Sequence, residues 1–200
     1  MSISSYLLMP LSKQSMSDPI KTKQLLNYLI DTNIINWEMP VEAWQYSCEE
    51  DDYDEKELNF KSLEHFYQLL DTLPMPELCF TLGFNRYNSE YKEADQASAL
   101  PKINEFTNEL IGYMDNFCQS NEIDPLLDLF GPMNIGLIAL DSEDDIGEIR
   151  GIGFYIDGSM TYFMEEAGFL ENFDSNLDIG KLMKKIAEIY GEEFSLIFRS

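Results

Sequence analysis

Basic residues are scarce in this chain. Its 200 residues include 13 Lys and Arg against 37 Asp and Glu, which gives a formal net charge of -24 at pH 7. A protein that binds a phosphate backbone needs clustered Lys and Arg to displace counterions, and an anionic membrane surface repels an acidic protein. The composition therefore argues against direct binding of nucleic acid or of a membrane.

Long hydrophobic runs and targeting signals are also missing. Apolar stretches such as residues 135–140 are far shorter than the ~20 residues that span a bilayer. The N-terminal region has no basic segment before its short apolar patch, and Pro10 follows that patch at once. Secretory signals are built differently, with basic residues ahead of a longer apolar segment. We therefore predict a cytoplasmic protein.

Cysteine and histidine are too few for the common catalytic and metal sites. Cys48, Cys79 and Cys118 are odd in number and lack CxxC spacing, so we expect buried free thiols in a reducing compartment. His65 is the only histidine, whereas zinc sites use several His or Cys ligands. No neighbouring group in the sequence is placed to activate a Cys–His pair.

Two acidic stretches resemble the start of a calcium-binding EF-hand loop but lack its defining residues. One begins at Asp141 and the other at Asp174. The loop requires Gly at position six for a sharp turn and a bidentate Glu at position twelve. At these two positions the stretches carry Ile146 and Ile152, and Ile179 and Lys185. The sequence therefore predicts no metal site.

Gly151 and Gly153 resemble part of a nucleotide-binding loop. No third glycine completes GxGxxG and no helix is predicted to follow, so a closely packed strand is the better interpretation. We predict no catalytic residue, no cofactor and no enzymatic activity. An enzyme that uses a pair of carboxylates stays open as an alternative, because 37 acids will bring some carboxylates together in any fold.

Apolar periodicity predicts an α+β fold. Steps of three and four residues predict helices at 18–31, 62–73, 101–119 and 178–191, the last with Asp178 as N-cap and Gly191 as its stop. Alternation predicts strands at 6–9, 78–84, 134–140, 148–156, 159–164 and 194–199, with a hairpin turn at Asp157-Gly158. This order predicts about four helices packed on a mainly antiparallel sheet, in one domain spanning residues 1–200.

The acids are concentrated in stretches that contain no base. Residues 24–55 hold nine acids and residues 103–149 hold eleven, with no Lys or Arg in either stretch. Two peaks stand out, and their residues are the predicted partner contacts: Glu49, Glu50, Asp51, Asp52, Tyr53, Asp54 and Glu55, and then Asp141, Glu143, Asp144 and Asp145. Such repulsion costs folding stability, so the charge serves either solubility or attraction of a positively charged protein.

Aromatic residues precede the first acidic peak. Trp37, Met39, Trp44 and Tyr46 would suit a protein interface if they are exposed beside the carboxylates. Each of these residues, taken singly, fits the core at least as well. The sequence leaves both interpretations open.

Small, markedly acidic, cofactor-free α+β proteins without a signal peptide resemble bacterial immunity proteins. The resemblance is one of class, and it assigns no role to any residue of this chain. It implies a protein that neutralises a toxin in the cytoplasm by direct binding, for example a nuclease or another enzyme with a basic cleft. The alternative binding function is that of a DNA mimic, which would occupy a nucleic-acid-binding protein with carboxylates in place of phosphates.

Overall fold

The computed structural model describes residues 4–35, 41–49, 52–59, 61–73, 75, 77–82, 102–123, 137–144, 147–157 and 161–199. These residues contain seven strands: β1 Ser4–Pro10, β2 Val41–Glu49, β3 Asp52–Leu58, β4 Leu78–Leu82, β5 Leu137–Asp144, β6 Gly147–Asp157 and β7 Ile197–Arg199. They also contain six helices: α1 Lys13–Met16, α2 Pro19–Asp31, α3 Leu63–Thr72, α4 Ile103–Ser120, α5 Thr161–Glu166 and α6 Asp178–Tyr190.

The strands form one sheet in the order β3-β2-β4-β5-β6-β1-β7. Every neighbouring pair in it is antiparallel. The predicted α+β class is therefore confirmed, together with its antiparallel sheet. The four long helices α2, α3, α4 and α6 occupy the four predicted helical segments, and α1 and α5 are additional short helices.

The main core lies between the helices and one face of the sheet. Strand residues Leu7, Phe80 and Phe154 alternate onto this face and are fully buried. They belong to one cluster with the apolar stripes of the long helices, which include Leu25, Leu29, Phe66, Leu70, Leu110, Met114, Met183 and Ile186. Burying a side chain of this size contributes about 1.5–3 kcal/mol. The opposite face also has buried positions, because Leu8 and Cys79 alternate onto it and are 0% and 1% exposed.

Local sequence signals set the ends of the long helices. The Asp18 carboxylate accepts a hydrogen bond from the Ile20 N–H at 2.9 Å, directly before Pro19 in the first turn of α2. At the end of α6, Gly191 adopts the left-handed conformation with φ +70°, as predicted for a helix stop. Asp178 is the first residue of α6 rather than its predicted N-cap. Its N–H donates to the Glu109 carboxylate of α4 at 2.8 Å, so a distant side chain caps this helix.

The prediction of a strand at 159–164 is wrong, because Thr161–Glu166 forms helix α5. The edge of β6 that such a strand would have paired with is taken by β1, from Ser4↔Asp157 to Pro10↔Gly151. A helix also buries Thr161 and Met164 together at a three-residue step. An alternating pattern over so few residues does not distinguish a strand from a short helix.

Gly151 and Gly153 lie where β6 approaches β1 most closely. A Cβ on Gly153 would overlap the carbonyl oxygen of Leu7, and a Cβ on Gly151 would lie 2.6 Å from the carbonyl oxygen of Met9. The interpretation of this segment as a closely packed strand is confirmed.

The remaining strand predictions differ from the structure mainly at their ends. The terminal strand is shorter than predicted: β7 begins at Ile197, and Phe194 and Leu196 are partly buried against the core. Strand β5 runs four residues beyond its predicted end, to Asp144. Residues 83–84 and 134–136 of the predicted strands lie outside the described residues.

The thiols and the helices allow two further comparisons with the sequence predictions. Cys79 and Cys118 are buried, as expected, and Cys118 is a free thiol, whereas the side chain of Cys48 lies outside the description. Among the described residues, no helix combines the length and the apolar character that crossing a bilayer requires.

Candidate protein-binding surface

The two acidic peaks lie at the ends of two β-hairpins. In the β2–β3 hairpin the last register pair is Glu49↔Asp52, with Glu50 and Asp51 between them. In the β5–β6 hairpin the last pair is Asp144↔Gly147. Glu50, Asp51 and Asp145 themselves lie outside the described residues. Each acidic peak is thus the tip of a hairpin and its flanking strand ends.

The sheet topology brings both hairpin tips to the same end of the molecule. Strands β2 and β5 flank β4 and are both antiparallel to it, so they run parallel to each other. Strand β4 begins at Leu78, whose partner is Gln45, and β2 continues beyond this pair to Glu49. On the other side, β5 pairs with β4 at 137–139 and continues to Asp144. Where they flank β4, the two hairpins are two strand spacings apart, or about 10 Å.

Five of the eight predicted contact positions that the structure describes share one face of the sheet. Ala43 and Ala139 are the register partners of Phe80 and therefore lie on its face of the sheet. Every second residue along β2 and β5, counted from these two, lies on the same face. The predicted contacts on it are Glu49, Asp52, Asp54, Asp141 and Glu143. Tyr53, Glu55 and Asp144 alternate onto the other face. The described ends of the hairpins therefore present acidic positions on both faces.

Cross-strand register pairs acids with acids at both tips. Glu49 lies opposite Asp52, and Glu143 lies opposite Glu148. Like charges directly opposite each other on two strands are destabilising. Two unit charges 4 Å apart repel by about 1 kcal/mol even in bulk water. Glu148 was missed by the sequence analysis, because only the hairpin register reveals that it lies opposite Glu143.

Asp141 differs from the other predicted contacts. Its register partner is Arg150, and Arg150 is only 7% exposed. A buried charge requires a partner of opposite charge or hydrogen bonds, and opposite residues on antiparallel strands have Cβ atoms about 5 Å apart. The register therefore places a basic residue opposite Asp141, whereas Glu143 and Glu148 lie opposite one another.

The aromatic residues of the first acidic segment are divided between the sheet and the hairpin. Trp44 lies opposite Cys79 of β4 on one side and Glu57 of β3 on the other, so it is an interior position of the sheet. Tyr46 is the first β2 residue beyond the pairing with β4, and its register partner is Glu55. Trp37 and Met39 lie outside the described residues. Among the residues that precede the acidic peak, Tyr46 is therefore the described aromatic position nearest to the hairpin tip.

The residues considered for catalysis have local structural contacts. The Nδ1 atom of half-buried His65 accepts a hydrogen bond from the Lys61 N–H at 3.1 Å, next to the start of α3. Burial raises the pKa of the Cys118 thiol, and Asp115 raises it further, which disfavours the reactive thiolate. Across the described ranges, no three His, Cys, Asp or Glu residues are grouped so that they could hold a metal ion.

The described part of the chain thus combines an antiparallel sheet with two acidic hairpins at one end of it. Protein-family models, curated proteins and solved structures were compared with the chain, and none of them matches it.

Proposed function

We propose that this chain is a cytoplasmic binding protein whose acidic hairpin end, defined as residues 46–55 and 141–149, associates with a basic protein. We further propose that the partner is a toxin, which the chain neutralises as immunity proteins do. The observation that supports binding is the pairing of like charges at both tips, Glu49↔Asp52 and Glu143↔Glu148. Like charges at opposite register positions would repel each other, and a positive surface placed against the tips would relieve that repulsion.

The hairpin end would act first on the rate of association. A concentrated field of one sign steers an oppositely charged partner and raises its association rate, while complementary charge selects against other partners. Charges at the rim of an interface affect mainly association, and buried contacts such as aromatic side chains affect mainly dissociation. We therefore assign steering to the acidic tips and assign Tyr46, beside them, to the contact itself.

The test requires a purified candidate partner, and the products of genes adjacent to that of this chain are the first candidates. Asp51→Lys with Asp52→Lys, or Asp144→Lys with Asp145→Lys, should slow association several-fold at low salt. The difference should shrink as salt rises, because screening limits exposed charges to about 8 Å at physiological ionic strength. Stopped-flow or surface-binding kinetics over a salt series measures both effects.

A matched control separates the hairpin end from net charge. Asp31→Lys with Glu105→Lys changes the net charge by the same amount, at exposed positions of α2 and α4. We expect this variant to associate at a rate close to that of the original protein. Equal slowing by the control, or no slowing by either hairpin variant, would contradict the proposal. If the partner binds double-stranded DNA and is not toxic when it is produced without this chain, the DNA-mimic function replaces the toxin-neutralising one.

A further inference from the structure

Helix α5 exposes two adjacent aromatic side chains. Tyr162 is 60% exposed and Phe163 is 50% exposed. Their ring centroids are 5.6 Å apart in an edge-to-face arrangement. Among the described residues, Ile20 of α2 is the one other large hydrophobic side chain exposed to this extent. Clustered exposed aromatic residues are typical of binding surfaces, whereas a single exposed apolar residue is ordinary.

The core fixes α5 so that these rings face solvent. Met164 and Phe169 are fully buried. The Phe169 ring packs against Phe117 and Phe198, with ring centroids 5.1 and 5.4 Å away. Because Met164 and Phe169 anchor the helix and the turn after it, the segment cannot rotate to bury Tyr162 and Phe163 without giving up these contacts.

The exposed Tyr162 side chain is held in place by a neighbouring acid. Its hydroxyl donates a hydrogen bond to Glu166 Oε1 at 2.7 Å, one helical turn along α5. This hydrogen bond, and then the negative charge of Glu166, raise the pKa of Tyr162. A side chain that is oriented before binding loses less conformational entropy when a partner arrives.

Negative charge surrounds the aromatic pair. Glu165, Glu166 and Glu171 are exposed, and a Cβ on Gly168 would lie 3.6 Å from Glu171 Oε2, so this acid reaches the turn that ends α5. The sequence has no Lys or Arg from residue 151 to residue 180. A second copy of the chain would bring acid against acid here, and an anionic lipid surface would be repelled. The charge therefore selects a cationic occupant.

This surface is separate from the acidic hairpin end. Strand β6 begins at Gly147, next to a hairpin tip, and ends at Asp157, shortly before α5. At about 3.4 Å per residue, these two ends are roughly 34 Å apart. A ligand of a few residues could not contact both surfaces at once.

We propose that Tyr162 and Phe163, with Glu165 and Glu166 beside them, form a docking site for an arginine-bearing segment of a protein partner. The planar guanidinium stacks on aromatic rings and pairs with carboxylates in the same geometry, whereas the lysine ammonium is a strongly hydrated point charge. The site therefore discriminates arginine from lysine. This proposal goes beyond the proposed function, because it requires neither the hairpins nor a toxin.

Fluorescently labelled five-residue peptides, which are too short to span the two surfaces, can test the site on the full chain. One peptide carries three Arg in a Gly-Ser background, and a second carries three Lys at the same positions. We expect the arginine peptide to bind about fivefold more tightly at physiological salt, as a stacked cation predicts. Tyr162→Ala with Phe163→Ala should abolish this preference, while Ile20→Ala should keep it. Equal affinity for both peptides, or a preference that survives the double alanine substitution, would overturn the proposal.

A second measurement locates the bound peptide without any substitution. Backbone amide shifts of residues 161–166 should change on titration with the arginine peptide, and shift changes confined to the hairpin end would overturn the assignment. Asp144→Lys with Asp145→Lys lies roughly 34 Å away, about four screening lengths at physiological salt, and should leave the preference for arginine unchanged. Loss of that preference in this variant would show that the discrimination belongs to the hairpins and would also overturn the proposal.

Discussion

Helices α2 and α6 and the acidic hairpin end use their charges in opposite ways. Bases on these two helices lie beside acids: Lys23 Nζ of α2 is 2.6 Å from Asp71 of α3, and Lys185 Nζ of α6 is 3.0 Å from Glu188. At the tips of the hairpins the register places Glu49 opposite Asp52 and Glu143 opposite Glu148. The deficit of bases is therefore not spread evenly over the described part of the chain.

Other bases of the helical layer stabilise helix ends. Lys21 Nζ donates to the Tyr190 carbonyl at 3.0 Å, at the end of α6. Lys102 Nζ donates to the Thr32 carbonyl at 2.9 Å, just after α2. A cation at a helix C-terminus binds unpaired carbonyls and complements the helix dipole. These bases are engaged within the fold, whereas the described strand ends of the two hairpins place acids opposite acids.

The largest expected effect concerns the close packing of β6 against β1 in the sheet. Gly153→Ala should lower the free energy of unfolding by at least about 3 kcal/mol, because the new Cβ would overlap the backbone of β1. Gly112→Ala is the matched control: apart from its chain neighbours and the backbone of its own helix, nothing lies within 4 Å of its Cβ position in α4, and the variant should gain about 0.5–1 kcal/mol. Urea unfolding measures both. Wild-type stability of the Gly153→Ala protein would contradict the close β1–β6 approach.

Neutralising an acid should change the free energy of unfolding in opposite directions in the two regions. Glu49→Gln with Glu143→Gln removes both like-charged pairs and should raise the free energy of unfolding by up to about 1 kcal/mol at low salt. Asp71→Asn removes the partner of Lys23 and should lower it by up to about 1 kcal/mol. Urea unfolding at low and at high salt provides the measurement. If both substitutions changed the free energy of unfolding in the same direction, the contrast between repelling acids at the hairpin end and paired acids on the helices would be contradicted.

The smallest expected effect is a pH dependence at Glu192. The Ser12 hydroxyl and its N–H donate to Glu192 Oε1 at 2.5 and 3.1 Å. Hydrogen bonds from Ser12 and Ser15 hold the pKa of Glu192 below its ordinary 4.5, and Lys21 lowers it further. A depressed pKa in the folded state contributes stability above the ordinary pKa, and this contribution is lost as the pH falls through the folded value.

Glu192→Gln tests this pH dependence. The variant should be less stable than the original protein at pH 7, by no more than about 1 kcal/mol, because Glu192 is only half-buried and solvent screens its charge. The difference should shrink as the pH falls below about 4.5. Urea unfolding at several pH values is the measurement. A stability difference that is constant from neutral to acidic pH would contradict the claim that the lowered pKa of Glu192 stabilises the folded protein.

Strong local patterns predicted much of the fold. The apolar stripe of α6 and its glycine stop are local signals, and so is the proline that begins α2. Helix α5 was missed because it has only six residues and because β1, distant in sequence, takes the edge of β6. Pairing between segments distant in sequence can decide the secondary structure of a short segment against its local alternating pattern.

The candidate surface could be predicted only in part. Composition locates both acidic peaks, since they are contiguous in sequence. That they share one end of the sheet depends on β2 and β5 both pairing with β4, which no local pattern encodes. The same holds for the position of Asp141 opposite buried Arg150 and for the exposure of Tyr162 beside Phe163.

The most direct test of the central claim measures the electrostatic potential around the free protein. Paramagnetic relaxation of backbone amides is recorded with a cationic nitroxide cosolute and with an anionic one of the same size. We predict that the ratio of cationic to anionic enhancement is several-fold higher at residues 46–55 and 141–149 than at α2 and α6, and that 0.5 M salt reduces the difference. A ratio that is uniform over the hairpins and the helices would contradict the claim that uncompensated charge is concentrated at the hairpin end.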